Sequence, residues 1–243
     1  MLLKIDRLNK SFQSEIVLQD LTFTLDEHQT LSIVGRSGCG KTTLLKIISG
    51  LMPSDSGEVW LQTRNLKDVP AHQRNIVYLY QEPLLFPHLN VFENIAFGLR
   101  LRKQPEEVIQ EKTNGMIQSL ELQDHSSKMP HQLSGGQKQR VSFGRALIVN
   151  PLLLLLDEPF GNLDADTRAT MQDFFRRVAK QFRITSIFVT HDLKEAILMG
   201  DRIGLMGKGT LEIFEDVQHF VLDPKTGVRR EIEFWESLTQ KNL

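Results

Sequence analysis

A chain of 243 residues, 40% hydrophobic and 24% charged, is long enough for one sizeable core with room for a subdomain inside it. Its 29 basic and 30 acidic residues cancel to a net charge of -1, which leaves neither the basic excess of a nucleic-acid binder nor the acidic excess of a disordered tail. The single cysteine, Cys39, excludes an internal disulfide framework and suits a reducing compartment.

The opening MLLKIDRLNKSF lacks the apolar stretch of a secretory signal. It reads as a strand, with Leu3, Ile5 and Arg7 alternating with Lys4 and Asp6, and a second strand is expected over Asp20 to Leu25. Leu31-Ser-Ile-Val34 is a short apolar strand running into a Gly-rich loop. Thr42 to Ser49 then reads as a helix closed by Gly50 and Pro53. From about Pro87 to Val149 the pattern turns helical, with Val108, Ile109, Met116, Ile117 and Leu120 mostly on one face, although Asn114-Gly115 is a poor helix interior. Strand signals return at Leu152–Leu156, Ile184–Val189 and Ile203–Met206. Gly207-Lys-Gly209 looks like a hairpin turn into Leu211–Phe214. Past Pro224 the pattern is ambiguous: Ile232, Trp235 and Leu238 suit a helix, whereas Val228, Ile232 and Phe234 suit a strand. The longest apolar run, Leu152 to Leu156, is far below the roughly 20 residues that span a bilayer, so if the protein serves a membrane, another chain must cross it.

The Gly-rich loop carries the chemistry. Gly35-Arg36-Ser37-Gly38-Cys39-Gly40-Lys41-Thr42 matches G-x-x-x-x-G-K-[ST], with Thr43 following. Glycines let backbone N–H groups converge on phosphate oxygens without Cβ clashes, and a helix starting near Lys41 adds its positive end. Lys41 is then expected on the β- and γ-phosphates and the Thr42 hydroxyl on Mg2+. Leu152-Leu-Leu-Leu-Leu-Asp157-Glu158 is an apolar strand ending in two carboxylates. Beside a phosphate loop, Asp157 is placed for the Mg2+ hydration shell and Glu158 for polarising an attacking water.

Leu133-Ser134-Gly135-Gly136-Gln137, ahead of that strand, opens an apparent helix through Arg145. A serine hydroxyl, glycine amides and a helix N-terminus together make an anion site. The pentapeptide resembles the signature of the ATP-binding-cassette ATPases and stands where that family has it. The resemblance implies an α/β fold: a P-loop core with a RecA-like parallel sheet, an N-terminal antiparallel β region and an inserted helical subdomain over 87–149. It covers Leu2 to about Phe214, within one nucleotide-binding domain over 1–243, and leaves 215–243 as a short tail. It also implies that two copies sandwich ATP head to tail, the loop of one facing Ser134 to Gln137 of the other. By position, Phe12 corresponds to the aromatic that stacks on adenine. Gln81 corresponds to the glutamine that touches Mg2+ or the attacking water, and His191, after Ile187–Val189 and Thr190, to the histidine on the γ-phosphate. Asp164 matches the family's D-loop, where Gly161 and Asn162 depart from the usual Ser-Ala.

Gln81 to Leu99 is most similar to the ATPases of bacterial solute importers. That resemblance implies permease partners, a substrate-binding protein, a peripheral place on the cytoplasmic face of the inner membrane and no nucleic-acid partner. Many such ATPases carry a long C-terminal regulatory domain, which the short tail is not expected to supply. Two other readings stand beside it. One is a soluble cassette ATPase acting on ribosomes or DNA; such proteins usually carry two cassettes, a long coiled-coil insert or basic surfaces. The other is a nucleotide-binding regulator without turnover, against which Glu158 and His191 both argue.

Overall fold

The computed structural model describes residues 1–240, apart from the side chains at 234, 235 and 237–240. In chain order the elements are β1 (Leu3–Phe12), β2 (Glu15–Leu25), β3 (Thr30–Val34), α1 (Lys41–Ser49), β4 (Ser56–Leu61), β5 (Arg64–Asn65), β6 (Ile76–Leu79), α2 (Val91–Leu101), α3 (Glu106–Ser119), α4 (Gly135–Leu147), β7 (Leu153–Asp157), α5 (Ala165–Gln181), β8 (Ser186–Thr190), α6 (Leu193–Met199), β9 (Arg202–Gly207), β10 (Thr210–Phe214), α7 (Val217–Leu222) and α8 (Val228–Gln240). The chain forms two compact units, one of Met1–Val69 with Ile187 onward and one of Pro70–Ser186.

In the first unit an antiparallel sheet runs β2-β1-β4-β5, and a second set of strands runs β10-β9-β3-β8. β3 pairs in parallel with β9, Leu31 opposite Arg202 and Val34 opposite Leu205, as expected where helical crossovers separate the strands. All five residues of β3 are buried, which is why it reads as an apolar run and not as an alternation. The sequence places the second strand at Asp20, but β2 begins at Glu15. Asp20 sits at a left-handed φ of 51°, and the β1–β2 register shifts between Leu8 and Lys10, whose partners are Leu21 and Leu18. That irregularity breaks the period-two pattern and hides the first half of the strand. The core around β3 is closed by Ala196, Ile203, Phe214, Phe220 and Val228, with the Phe214 and Phe220 rings edge to face at 5.3 Å. The tail is helical, as α7 and α8; the proposed helical-face residues Trp235 and Leu238 lie outside the described side chains, as does Phe234.

In the second unit β6 and β7 pair in parallel, from Ile76 opposite Leu153 to Leu79 opposite Leu156. Helices α2, α3 and α4 supply the rest of the core with α5. α3 runs unbroken through Asn114-Gly115 because Ile109, Thr113, Met116 and Ile117 on one face are buried, and that packing outweighs a weak interior glycine. Phe143 of α4 stands 5.3 Å from Phe175 and 6.2 Å from Phe160, a fully buried aromatic cluster. Among the described residues, no helix is long and apolar enough to cross a membrane.

The segment before α2 is irregular yet pinned. Asn94, fully buried, accepts the Phe86 N–H at 2.8 Å and donates to the carbonyls of Phe86, Leu89 and Asn90. Asn90 in turn caps α2 by accepting the Glu93 N–H at 2.8 Å. One amide thus serves the Phe86 N–H and the Leu89 carbonyl, and adds to the backbone bonds that the Phe86 and Asn90 carbonyls accept from Leu89 and Asn94. Asn94→Ala is expected to lower stability by about 2–4 kcal/mol, read as an earlier midpoint in urea unfolding, because several buried polar groups lose their partner together.

Candidate nucleotide site

The first unit holds the Gly-rich loop between β3 and α1. Gly40, the residue before α1, has a φ of 108°, and a Cβ there would lie 2.8 Å from both the Val17 carbonyl oxygen and Leu18 Cδ2. Only glycine meets both conditions, so the amide direction at the helix start is fixed by sterics. Lys41 is 5% exposed and folds its ammonium back into the loop, donating to the Gly35 carbonyl at 2.7 Å and the Arg36 carbonyl at 3.2 Å. A cation held among backbone carbonyls at a helix N-terminus is ready to exchange them for phosphate oxygens. Arg36, Ser37, Gly38 and Thr42 are exposed along this loop, whereas Gly35, Cys39 and Thr43 are half-buried.

His191 belongs to the same unit and follows β8, which neighbours β3 in strand order. Its turn is held from both sides. The Thr190 hydroxyl donates to Glu195 at 2.5 Å and accepts the Asp192 N–H at 3.0 Å, while Asp192 caps α6 through the N–H groups of Lys194 and Glu195. The His191 side chain is exposed between these fixed points. Phe12, at the far end of β1, is 44% exposed, with the Lys10 ammonium 5.5 Å from its ring centre, so it presents an open aromatic face.

The second unit holds the remaining predicted residues. Asp157 ends β7, and Glu158 follows at a left-handed φ of 46°. That conformation is uncommon for a residue with a Cβ and costs on the order of 1–3 kcal/mol. It ends the strand sharply after the paired carboxylates. Tyr78 of β6 donates its hydroxyl to Asp157 Oδ2 at 2.6 Å. Burial, and then the Asp157 carboxylate, push the Tyr78 phenol well above its ordinary range, so it stays a donor.

Gln81, just beyond β6, donates through Nε2 to Asn162 Oδ1 at 3.2 Å. A Cβ on Gly161 would lie 2.9 Å from that same Nε2. The two positions that depart from the family pattern therefore form one niche for Gln81: a missing side chain gives the room and an amide oxygen accepts the bond. Asp164 caps α5 by accepting the Thr167 N–H at 3.0 Å, and that bond holds its carboxyl below the usual range. Arg168 ties down the same loop from beneath, donating to the Leu163 carbonyl at 2.9 Å.

Ser134 is the N-cap of α4, in a capping box with Gln137: its Oγ accepts the Gln137 N–H at 3.3 Å and its N–H reaches Gln137 Oε1 at 3.0 Å. Gln137 Nε2 also contacts His125 Nε2 at 2.9 Å. Ser134 and Gly135 are exposed, whereas Gly136 is buried against Thr167 of α5.

Gly35 to Thr43, Phe12 and His191 thus fall in the first unit, and Gln81, Ser134 to Gln137, Asp157, Glu158 and Asp164 in the second. Sequence reasoning missed Tyr78, Asn94 and the role of Asn162. A phenol one position before the end of an apolar strand was the one available signal for Tyr78.

Known proteins resemble this chain in sequence and fold. The family described as ABC transporter matches residues 18–161. The spermidine/putrescine import ATP-binding protein PotA of Mycoplasma capricolum subsp. capricolum is 41% identical over 211 residues, which is 87% of this chain and 60% of that protein. The molybdate/tungstate import ATP-binding protein WtpC of Pyrococcus horikoshii is 40% identical over 225 residues, 93% of this chain and 65% of that protein. The chain therefore spans less than two thirds of the length of these relatives. A dimeric ATP-binding cassette solved in a post-hydrolysis state with ADP and Pi superimposes with a TM-score of 0.74 at 28% identity, over 86% of this chain and 96% of that one. On sequence and fold together, this chain belongs to the ABC transporter family.

Proposed function

We propose that the chain binds Mg·ATP and hydrolyses it between two head-to-tail copies, and that this cycle energises solute import through membrane-spanning permease partners fed by a substrate-binding protein. The observation that carries the reading is the phosphate cradle: Gly40 held left-handed where no Cβ fits, with the buried Lys41 ammonium inside the loop at the start of α1. The import role draws on relatives named as import ATP-binding proteins, and dimerisation on a neighbour solved as a dimer. The chain works from the cytoplasmic face of the membrane, and residues 87–149 act as a helical subdomain within the cassette.

Catalysis of this kind is positioning and electrostatics, because a loose phosphoryl transition state asks for little covalent chemistry. Lys41 and the loop amides hold the β- and γ-phosphates, and Phe12 stacks on the base. Glu158 aims the water and takes its proton, Gln81 orients the same water, and His191 donates to the γ-phosphate. Ser134, Gly135, Gly136 and Gln137 offer their amides and hydroxyl to the nucleotide on the opposite copy. The exposure of Ser134 and Gly135 at the head of a capped helix favours that outward role.

The residues suit Mg2+. The Thr42 hydroxyl, the Asp157 carboxylate and the Gln81 amide oxygen are hard oxygen donors, and a Mg2+ site needs only one or two carboxylates completed by phosphate oxygens and water. The hydrogen bond from Tyr78 to Asp157 Oδ2 is the outer support such a ligand carries. When bound, the ion neutralises phosphate charge.

Lys41→Ala is expected to abolish turnover measured by phosphate release and to weaken ATP binding in calorimetry by at least tenfold, about 1.4 kcal/mol, the scale of one charge-assisted bond. Near-normal values of both would remove the cradle assignment. Cys39, half-buried inside the cradle, is expected to react with a small alkylating reagent, to lose activity on doing so and to be protected by Mg·ATP. Equal labelling rates with and without saturating nucleotide would count against the nucleotide lying on this loop.

A further inference from the structure

The β6–β7 ladder places an unassigned hydroxyl on the carboxylate read here as the metal-side acid. Tyr78 stands opposite Leu155 in parallel register, so strand alternation puts Asp157, two residues on, on the same face. The phenol spans that diagonal and donates to Asp157 Oδ2 at 2.6 Å, the ordinary length for a hydroxyl on a carboxylate. Both side chains are partly buried, where such a bond is weakly screened.

The phenol is itself braced. The Tyr80 ring lies 4.6 Å away, tilted at 52°, and Tyr80 directly precedes Gln81, whose amide donates to Asn162 at 3.2 Å. Side-chain contacts therefore run from the Asp157 carboxylate through the Tyr78 ring to the Tyr80 ring, and the backbone leads on from there into the glutamine loop. The tyrosine hydroxyl brings a donor within reach of the acid.

We propose that Tyr78 is a positioning residue: its hydroxyl fixes the plane of the Asp157 carboxylate and so sets the affinity of the nucleotide site for its divalent cation. This rests on the nucleotide-site reading above. Removing the phenol takes away one contact that orients the carboxylate, and loss of an outer partner of this type typically costs about 10–100-fold in metal affinity. Without a divalent cation the Asp157 carboxylate has no metal to hold, so metal-free nucleotide affinity is expected to stay unchanged.

The test is a four-protein cycle on the full chain: wild type, Tyr78→Phe, Asp157→Asn and the double variant. ADP is used so that turnover does not intrude. ADP affinity in EDTA is measured by calorimetry, and Mn2+ affinity of the ADP-loaded protein by electron paramagnetic resonance, with circular dichroism and thermal melting to establish folding. Tyr78→Phe is expected to bind Mn2+ about tenfold more weakly with unchanged ADP affinity in EDTA, and to change nothing further once Asp157→Asn is present. If Asp157→Asn weakens Mn2+ binding but Tyr78→Phe does not, the positioning role is overturned while the nucleotide-site reading stands. If Asp157→Asn leaves Mn2+ affinity unchanged, the metal-side assignment of Asp157 fails and the role of Tyr78 fails with it. Equal losses of Mn2+ affinity from Tyr78→Phe with and without Asp157→Asn would also overturn it, since the tyrosine would then act by another route.

Discussion

The steric limit at Gly40 governs the function read from this fold. Its φ of 108° and the 2.8 Å approach of the Val17 carbonyl and Leu18 to where a Cβ would sit leave one residue type that can turn the chain from β3 into α1. That turn sets the direction of the first amides of α1, beside the buried Lys41 ammonium held by the Gly35 and Arg36 carbonyls, and the proposed function asks both to serve phosphate oxygens. The all-buried β3 that feeds the loop and the α1 face carrying Leu44, Leu45, Ile47 and Ile48 hold that turn rigid.

A second constraint governs the acidic side of the chemistry. β7 is buried from Leu153 to Leu156, then delivers Asp157 to the phenol of Tyr78 and turns at once through the left-handed Glu158. Strain of this sort persists only where the surroundings over-determine it, and it is common where a side chain must face a reacting atom. The neighbouring loop shows the same economy: Gly161 supplies room, Asn162 an acceptor, and Gln81 sits between them.

Much of this was legible in the sequence because it rests on local chemistry. The Gly-Lys-Thr loop, the apolar strand ending in Asp157-Glu158 and the Ser-Gly-Gly-Gln helix start each announce a backbone requirement in a few consecutive residues. The resemblance supplied the rest of the site residues by position. Four things were not legible. β2 was read short because the bulge at Asp20 interrupts its alternation. The Tyr78–Asp157 bond joins residues far apart in the chain, and strand register alone decides that they meet. Asn162 looked like a departure from a pattern, and its meaning appears only with the Gln81 amide in place. Asn94 belongs with these, since a buried amide serving a loop leaves no periodic trace.

The central claim is that one copy's cradle and another copy's Ser134 helix share a nucleotide. Glu158→Gln preserves shape but cannot take the water's proton, so ATP should bind without cleavage. Light scattering on size-exclusion chromatography should then show an ATP-dependent dimer of Glu158→Gln. Adding Ser134→Arg, which places a bulky side chain on the opposing phosphate, should return it to a monomer that still binds ATP. An ATP-dependent dimer that survives Ser134→Arg would contradict the shared site, as would loss of ATP binding by the folded double variant.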